Sequence, residues 1–82
     1  MARQINAPIR VFLDRAQGAP LAFLWEDRPY RVCCVDACWK QVGSWWDGEG
    51  ERTFFRVSTE EGIYDLAYDH ASGRWSLANI LD

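Results

Sequence analysis

The sequence is short of the residues from which most catalytic and metal sites are built. It has one histidine, His70, and three cysteines, Cys33, Cys34 and Cys38, among 82 residues. A nucleophile needs a positioned base, and His70 falls in a predicted hairpin turn, where turn chemistry accounts for its presence. Structural zinc sites combine one closely spaced pair of ligands with a second pair elsewhere, and the sequence offers no second pair. We therefore expect no enzyme activity, no metal site and no cofactor.

The cysteines are too few and too crowded for a disulfide framework. A secreted disulfide scaffold has an even number of cysteines spread along the chain, whereas the three here lie between positions 33 and 38. Neighbouring side chains on a strand point to opposite faces, so Cys33 and Cys34 cannot both bind one ion. We predict that all three are reduced thiols that pack as small, buried apolar side chains.

Long apolar runs and an excess of positive charge are also missing. No run approaches the roughly 18 apolar residues of a membrane span, and the N-terminus lacks the apolar stretch of a signal peptide. We expect a soluble, cytoplasmic protein with no membrane partner. The net charge is −3, and the sequence has no broad basic patch, which argues against the wrapping of duplex DNA. All basic residues except Lys40 are arginine. The guanidinium group of arginine is suited to bidentate hydrogen bonds and to stacking on aromatic rings.

The sequence is rich in aromatic residues, and its apolar and polar residues alternate with a period of two residues. Five tryptophans, four phenylalanines and three tyrosines can supply much of the core of so small a domain. Apolar and polar residues alternate between turn signals, which predicts strands. The predicted strands are Ile9–Leu13, Leu21–Trp25, Tyr30–Trp39 and the segments RTFFRVST, IYDLAYD and RWSLANIL.

These segments predict an all-β fold. Six strands with short connections make a six-stranded antiparallel meander, which closes into a small barrel or a strongly curved sheet. We expect residues 1–7 to form an N-terminal arm and residues 8–82 a single small β domain. The segment Tyr30–Trp39 is apolar on both sides, so we expect it to be covered on both faces or to bend at a bulge. A short helical turn over DACWKQV is the alternative. Gly73 is expected to adopt a positive φ in the last hairpin.

The candidate functional residues are Trp45, Trp46, Arg52, Phe54 and Arg56. Adjacent aromatic residues on a strand point to opposite faces, so the aromatic side chains of this region cannot all enter the core. Three interpretations stay open: a loop that plugs the end of a barrel, a protein-binding hot spot rich in Trp and Arg, and a surface on which bases of single-stranded nucleic acid stack. The acidic residues of the same loop weigh against the third interpretation.

A set of motifs runs in a fixed order through residues 23–77. The motifs are Trp25, Tyr30 with Val32, Trp39, WWDGEGER, FFRV and YDHASGRW. In these motifs the chain resembles an uncharacterised bacterial family of small domains, which occur alone and resemble the C-terminal tail of ImuB-like Y-family DNA polymerase homologues. The resemblance implies a non-catalytic module associated with translesion synthesis, and it carries over no catalytic residue. The segment RVCCVDACWKQV departs from the family pattern because it is richer in cysteine.

The residues and the resemblance predict a non-catalytic interaction module. Its partner is expected to be a protein in a DNA-repair setting, with a translesion-synthesis component as the candidate. The alternative function is single-stranded nucleic-acid binding by aromatic stacking plus arginine contacts.

Overall fold

The computed structural model describes residues 3–42 and 50–81, and all regular secondary structure in these ranges is β-strand. The all-β prediction is confirmed, with seven strands in place of the six expected. The strands are β1 Arg3–Leu13, β2 Pro20–Trp25, β3 Arg28–Arg31, β4 Cys34–Val42, β5 Glu51–Thr59, β6 Gly62–Asp69 and β7 Arg74–Leu81. Within the described ranges, no helix is long and apolar enough to cross a membrane.

The seven strands form one antiparallel sheet in the order β3-β2-β1-β7-β6-β5-β4. The sheet therefore consists of two meanders, β1–β3 and β4–β7, which are joined where β1 pairs with β7. A single meander in chain order was predicted, and the difference arises because β1 is long enough to pair twice. Its second half, from Arg10, pairs with β2, and its first half, from Arg3 to Ile9, pairs with β7. Residues 3–7, which were expected to form an arm, thus belong to the sheet.

The connection between β3 and β4 curls the sheet on itself. The N–H of Val32 donates to the carbonyl oxygen of Leu21 in β2 at 2.9 Å, and the N–H of Cys33 donates to that of Ser58 in β5 at 2.8 Å. Residues 32 and 33 therefore bridge the two halves of the sheet and interrupt the single strand predicted for residues 30–39. The predicted strong curvature is confirmed as a curled half-barrel.

The core fills the inner face of this curl. The buried members of the core come from both meanders: Phe23, Tyr30, Val57, Tyr64, Leu66, Leu77 and Ile80. Phe23 stacks on Tyr30 with ring centroids 5.0 Å apart and planes 7° from parallel. Tyr64 meets both rings edge-on, at 5.5 and 5.4 Å. Because β2 and β3 thus pack against β6 across the curl, the aromatic-rich composition compensates for the small size of the domain.

Residues in the left-handed region of φ occur in the turns between neighbouring strands. In the β6–β7 turn, Gly73 has φ of 70°, as predicted, and the N–H of Ala71 donates to Asp69 Oδ1 at 2.9 Å. In the two-residue β2–β3 turn, Glu26 and Asp27 have φ of 54° and 62°. Two consecutive positive φ values are typical of a type I′ turn, whose twist matches the flanking strands.

Candidate interaction surface

Three of the five predicted site residues lie on the outer face of the sheet, opposite the main core, where Phe54 packs with Ala67 and Ala78 in a second, smaller apolar cluster. Arg52, Phe54 and Arg56 are spaced by two along β5, so their side chains emerge on one face, while Val57 enters the core on the other. Phe54 is 9% exposed, Arg56 is half-buried and Arg52 is exposed. The structure therefore places three of the five predicted residues on one face. Trp45 and Trp46 lie outside the described residues.

Trp39 completes this group, although it was not among the predicted site residues. In the β4–β5 register it lies directly opposite Phe54, and the two rings are stacked with centroids 5.5 Å apart and planes 4° from parallel. The guanidinium carbon of Arg56 lies 5.4 Å from the centre of the Trp39 ring, within the range of a cation–π contact. The two-residue alternation in both segments shows which side chains share a face of their own strand. It does not reveal the register between the strands, which places Trp39 opposite Phe54.

A buried carboxylate fixes Arg56 in place. Asp65 is 1% exposed, and it lies opposite Arg56 in the β5–β6 register. Arg56 Nε and Nη2 donate to Asp65 Oδ1 and Oδ2 at 2.8 and 3.1 Å, and Asn79 Nδ2 donates to Oδ2 at 3.2 Å. The hydrogen bonds to Asp65, together with its charge, raise the pKa of Arg56 above its ordinary value. We call Trp39, Phe54, Arg56, Asp65 and Asn79 the outer-face cluster.

The outer-face cluster borders an exposed sheet edge. Among the described residues β4 pairs with β5 and with no other strand. All of its residues are exposed except Trp39, which is half-buried. The expectation that this segment is covered on both faces is wrong, whereas the alternative, a bulge, is found between Val35 and Ala37. The helical alternative is also wrong, because Cys34–Val42 is a continuous strand.

The cysteines are exposed, so the prediction that they pack as buried side chains is wrong. Cys34 and Cys38 are exposed because β4 is an edge strand, and Cys33 lies in the connection between β3 and β4. Cys34 Sγ donates to Asp36 Oδ1 at 2.9 Å, and the Ser58 hydroxyl donates to Asp36 Oδ2. The first of these bonds, with the negative charge of Asp36, raises the pKa of the Cys34 thiol, while both bonds lower the pKa of Asp36. A raised pKa leaves a smaller fraction of the Cys34 thiol as thiolate, which is the reactive form, at a given pH.

His70 lies in the β6–β7 turn, where the sequence predicted it. Its Nε2 is 2.7 Å from the hydroxyl oxygen of the buried Thr53, and its ring meets Tyr68 edge-on at 4.9 Å. These contacts connect the turn to the ends of β5 and β6. Within residues 3–42 and 50–81, no group of three or more His, Cys, Asp or Glu side chains could hold a metal ion.

A model of the family described as Domain of unknown function (DUF6504) matches residues 1–82. The chain belongs to this DUF6504 family. No curated protein and no solved structure matches it.

The outer face of this DUF6504 domain has balanced charges. Over β4–β7, alternation and register place three arginines and three aspartates on it: Arg52, Arg56, Arg74, Asp36, Asp65 and Asp69. Charges of both signs thus surround the stacked Trp39 and Phe54 rings. Such a mixture can make specific ion pairs, but it does not generate the broad positive potential that attracts a polyanion.

Proposed function

We propose that this domain is a non-catalytic interaction module that binds a protein partner through the outer-face cluster and the adjacent β4 edge. The observation that carries the proposal is the stacked Trp39–Phe54 pair with Arg56 beside it, at the nine-residue edge strand β4, whose residues other than Trp39 are all exposed. Trp and Arg are enriched among residues that dominate binding energy. The unpaired side of an edge strand offers backbone donors and acceptors to an extended segment of a partner.

Preorganisation supports this surface as a binding site. Arg56 is held by two hydrogen bonds to a buried carboxylate, so it loses little side-chain entropy when a partner binds. The Trp39 ring is likewise oriented by Phe54. Groups that are ordered before association lower the entropic cost of binding.

For the biological setting, we propose a cytoplasmic role in DNA repair with a translesion-synthesis component as partner. This part of the proposal rests on the resemblance of the sequence motifs to the tail of ImuB-like proteins. Trp45 and Trp46 stay part of the proposed binding region, as the sequence predicted.

The test is affinity capture followed by measurement with purified proteins. The wild-type domain is used as bait in an extract, and the dissociation constant of the identified partner is then measured for Trp39→Ala, for the double variant Trp45→Ala with Trp46→Ala, and for Arg31→Ala. Arg31 is an exposed arginine on β3, at the far edge of the sheet, and serves as the control. Loss of a hot-spot residue costs about 2 kcal/mol or more, so we expect Trp39→Ala to weaken binding by about 30-fold or more. Equal affinities for wild type and Trp39→Ala would contradict the proposed surface.

Single-stranded nucleic acid is the second candidate ligand. The observation that favours it is the half-buried Trp39 ring with Arg56 over it, because aromatic rings with nearby arginines stack successive bases. The balanced charges of the outer face argue against it. Fluorescence anisotropy with labelled oligonucleotides over a series of salt concentrations separates the two candidates. Binding that weakens as salt rises would favour nucleic acid, whereas no binding at low salt would remove this candidate.

A further inference from the structure

A second feature of the outer face lies beyond the outer-face cluster, at the other end of β5. Here Arg52 of β5, Asp69 of β6 and Arg74 of β7 are cross-strand neighbours. They line a cleft of about 310 Å³ together with Ser72 and Ser76 and with Asn6 of β1. We call it the Arg52–Arg74 cleft.

The two arginines of the cleft have no ion-pair partner among the described residues. Asp69 lies between them in the register, yet neither guanidinium forms a salt bridge with it. The carboxylate is instead engaged by the turn, where Asp69 Oδ1 accepts a hydrogen bond from the N–H of Ala71 at 2.9 Å. The cleft carries a net charge of +1, which is the sum of two arginines, Arg52 and Arg74, and one aspartate, Asp69.

The other polar side chains of the cleft can also donate hydrogen bonds to a ligand. Within the described part of the chain, Asn6, Ser72 and Ser76 form no side-chain hydrogen bond. Asn6 reaches the cleft because the β1–β7 register shifts between Gln4 and Ala7, and Asn6 sits in this irregularity with φ of 54°. Such bulges redirect a side chain relative to regular alternation.

We propose that the Arg52–Arg74 cleft binds a tetrahedral oxyanion, namely the phosphate of a phosphate monoester. Arg52 and Arg74 are separated by two strand spacings, about 10 Å between their backbones, and both line the cleft, so an anion bound between the two strands can contact both guanidinium groups. A planar carboxylate is satisfied by one guanidinium fork, whereas a phosphate has acceptors in several directions. The hydroxyls of Ser72 and Ser76 and the amide of Asn6 supply the further donors. This site does not depend on the protein partner proposed above, because Arg52 and Arg74 lie outside the outer-face cluster.

The phosphate can come from two sources, a small phosphorylated molecule or the terminal phosphate of a nucleic-acid strand. Both present the same monoester group to the cleft. The sign of the pH dependence is also the same for both, because the second pKa of such a monoester is about 6. Binding is expected to be tighter at pH 8, where the ligand is a dianion, than at pH 5.5.

The experiment is an NMR titration of the isotope-labelled full chain at constant ionic strength. The probes are inorganic phosphate, glycerol phosphate and acetate. We expect saturable shifts of the amides of Arg52 and of residues 69–76 with both phosphates, and much weaker shifts with acetate. Arg74→Ala should weaken phosphate binding about tenfold or more, because it removes a charge-assisted hydrogen bond. Arg31→Ala, an exposed arginine outside the cleft, should leave binding unchanged.

Two further arms identify the source and keep the proposal falsifiable. A short single-stranded oligonucleotide is titrated with and without a 5′-phosphate. Tighter binding of the phosphorylated strand than of glycerol phosphate assigns the cleft to strand ends, and the reverse order assigns it to small phosphorylated molecules. The proposed site would be overturned if none of the phosphate probes gave saturable shifts. Equal affinities for acetate and phosphate, or an equal loss of phosphate affinity in Arg31→Ala and Arg74→Ala, would also overturn it. Because both arginines are exposed, these variants are expected to fold, which their thermal unfolding checks.

Discussion

At the scale of single residues, the most constrained polar group is the carboxylate of Asp65. It is 2% exposed as a side chain, whereas its partner Arg56 is 39% exposed. Burial of a charge is unfavourable unless the charge is paired and its hydrogen-bonding capacity is used. Arg56 and Asn79 provide three hydrogen bonds to Asp65, which explains how a carboxylate is tolerated beneath the outer face.

We expect Asp65→Asn to destabilise the domain by about 1–3 kcal/mol, because it removes charge-assisted hydrogen bonds from a buried site. Asp69→Asn is the matched control, since Asp69 lies on the same strand and face but is only half-buried. Its effect should stay within about 0.5 kcal/mol. The free energy of unfolding in urea measures both. Equal effects of the two substitutions would contradict the role assigned to Asp65.

The Cys34–Asp36 contact predicts a reactivity order among the three exposed thiols. Because the hydrogen bond to Asp36 and the charge of its carboxylate raise the pKa of Cys34, less of this thiol is ionised at a given pH. Alkylation followed by mass spectrometry at pH 7.5 should therefore modify Cys34 more slowly than Cys33 or Cys38. Replacing Asp36 by alanine removes both causes and should speed the modification of Cys34. If the rate of Cys34 were unchanged in that variant, the assigned cause of the shift would be wrong.

At the scale of elements, local patterns predicted the strands but did not predict how they are assembled. Alternation located β2, β5, β6 and β7, and Gly73 marked the last hairpin. The interruption at Val32 and Cys33 was missed because neither residue is a turn former, and the break follows from long-range hydrogen bonds to Leu21 and Ser58. For the same reason Trp39 was not predicted as a site residue, because its stacking depends on the β4–β5 register.

The β2–β3 turn offers a test at the element scale. Glu26 and Asp27 both have positive φ, a conformation that costs a residue with a side chain roughly 1–2 kcal/mol. Asn-Gly is the sequence that type I′ turns prefer. We expect the double variant Glu26→Asn with Asp27→Gly to be more stable by about 1 kcal/mol, which raises the melting temperature by about 4–8 °C. A lower melting temperature would contradict the assigned turn.

At the scale of the whole molecule, the pairing of β1 with β7 holds the two meanders in one sheet. Without this pairing, β1–β3 would be a small separate sheet with little core of its own. Ile5 packs against the core from the first half of β1, and Gln4 beside it is exposed. The first residues of the sequence were expected to form an arm, and their pairing with β7, a long-range contact, makes residues 3–7 part of the sheet.

Substitutions in this segment distinguish a strand from an arm. We expect Ile5→Ala to destabilise the domain by about 1–2 kcal/mol, less than for a fully buried isoleucine because Ile5 is only half-buried. Gln4→Ala, the control, should change stability by less than about 0.5 kcal/mol. Denaturant unfolding gives both values. Equal and negligible effects would show that the segment does not contribute to the fold.

Hydrogen exchange of the backbone amides of β4, with and without the captured protein partner, is the decisive measurement for the proposed binding surface. In the free domain, the amides that point away from β5 have no partner among the described residues, so they are expected to exchange rapidly. On binding, amides between Cys34 and Val42 should become protected, while those of β3 at the opposite edge should not change. Protection confined to β3, or a bound partner that leaves every β4 amide unprotected, would contradict the proposed binding surface.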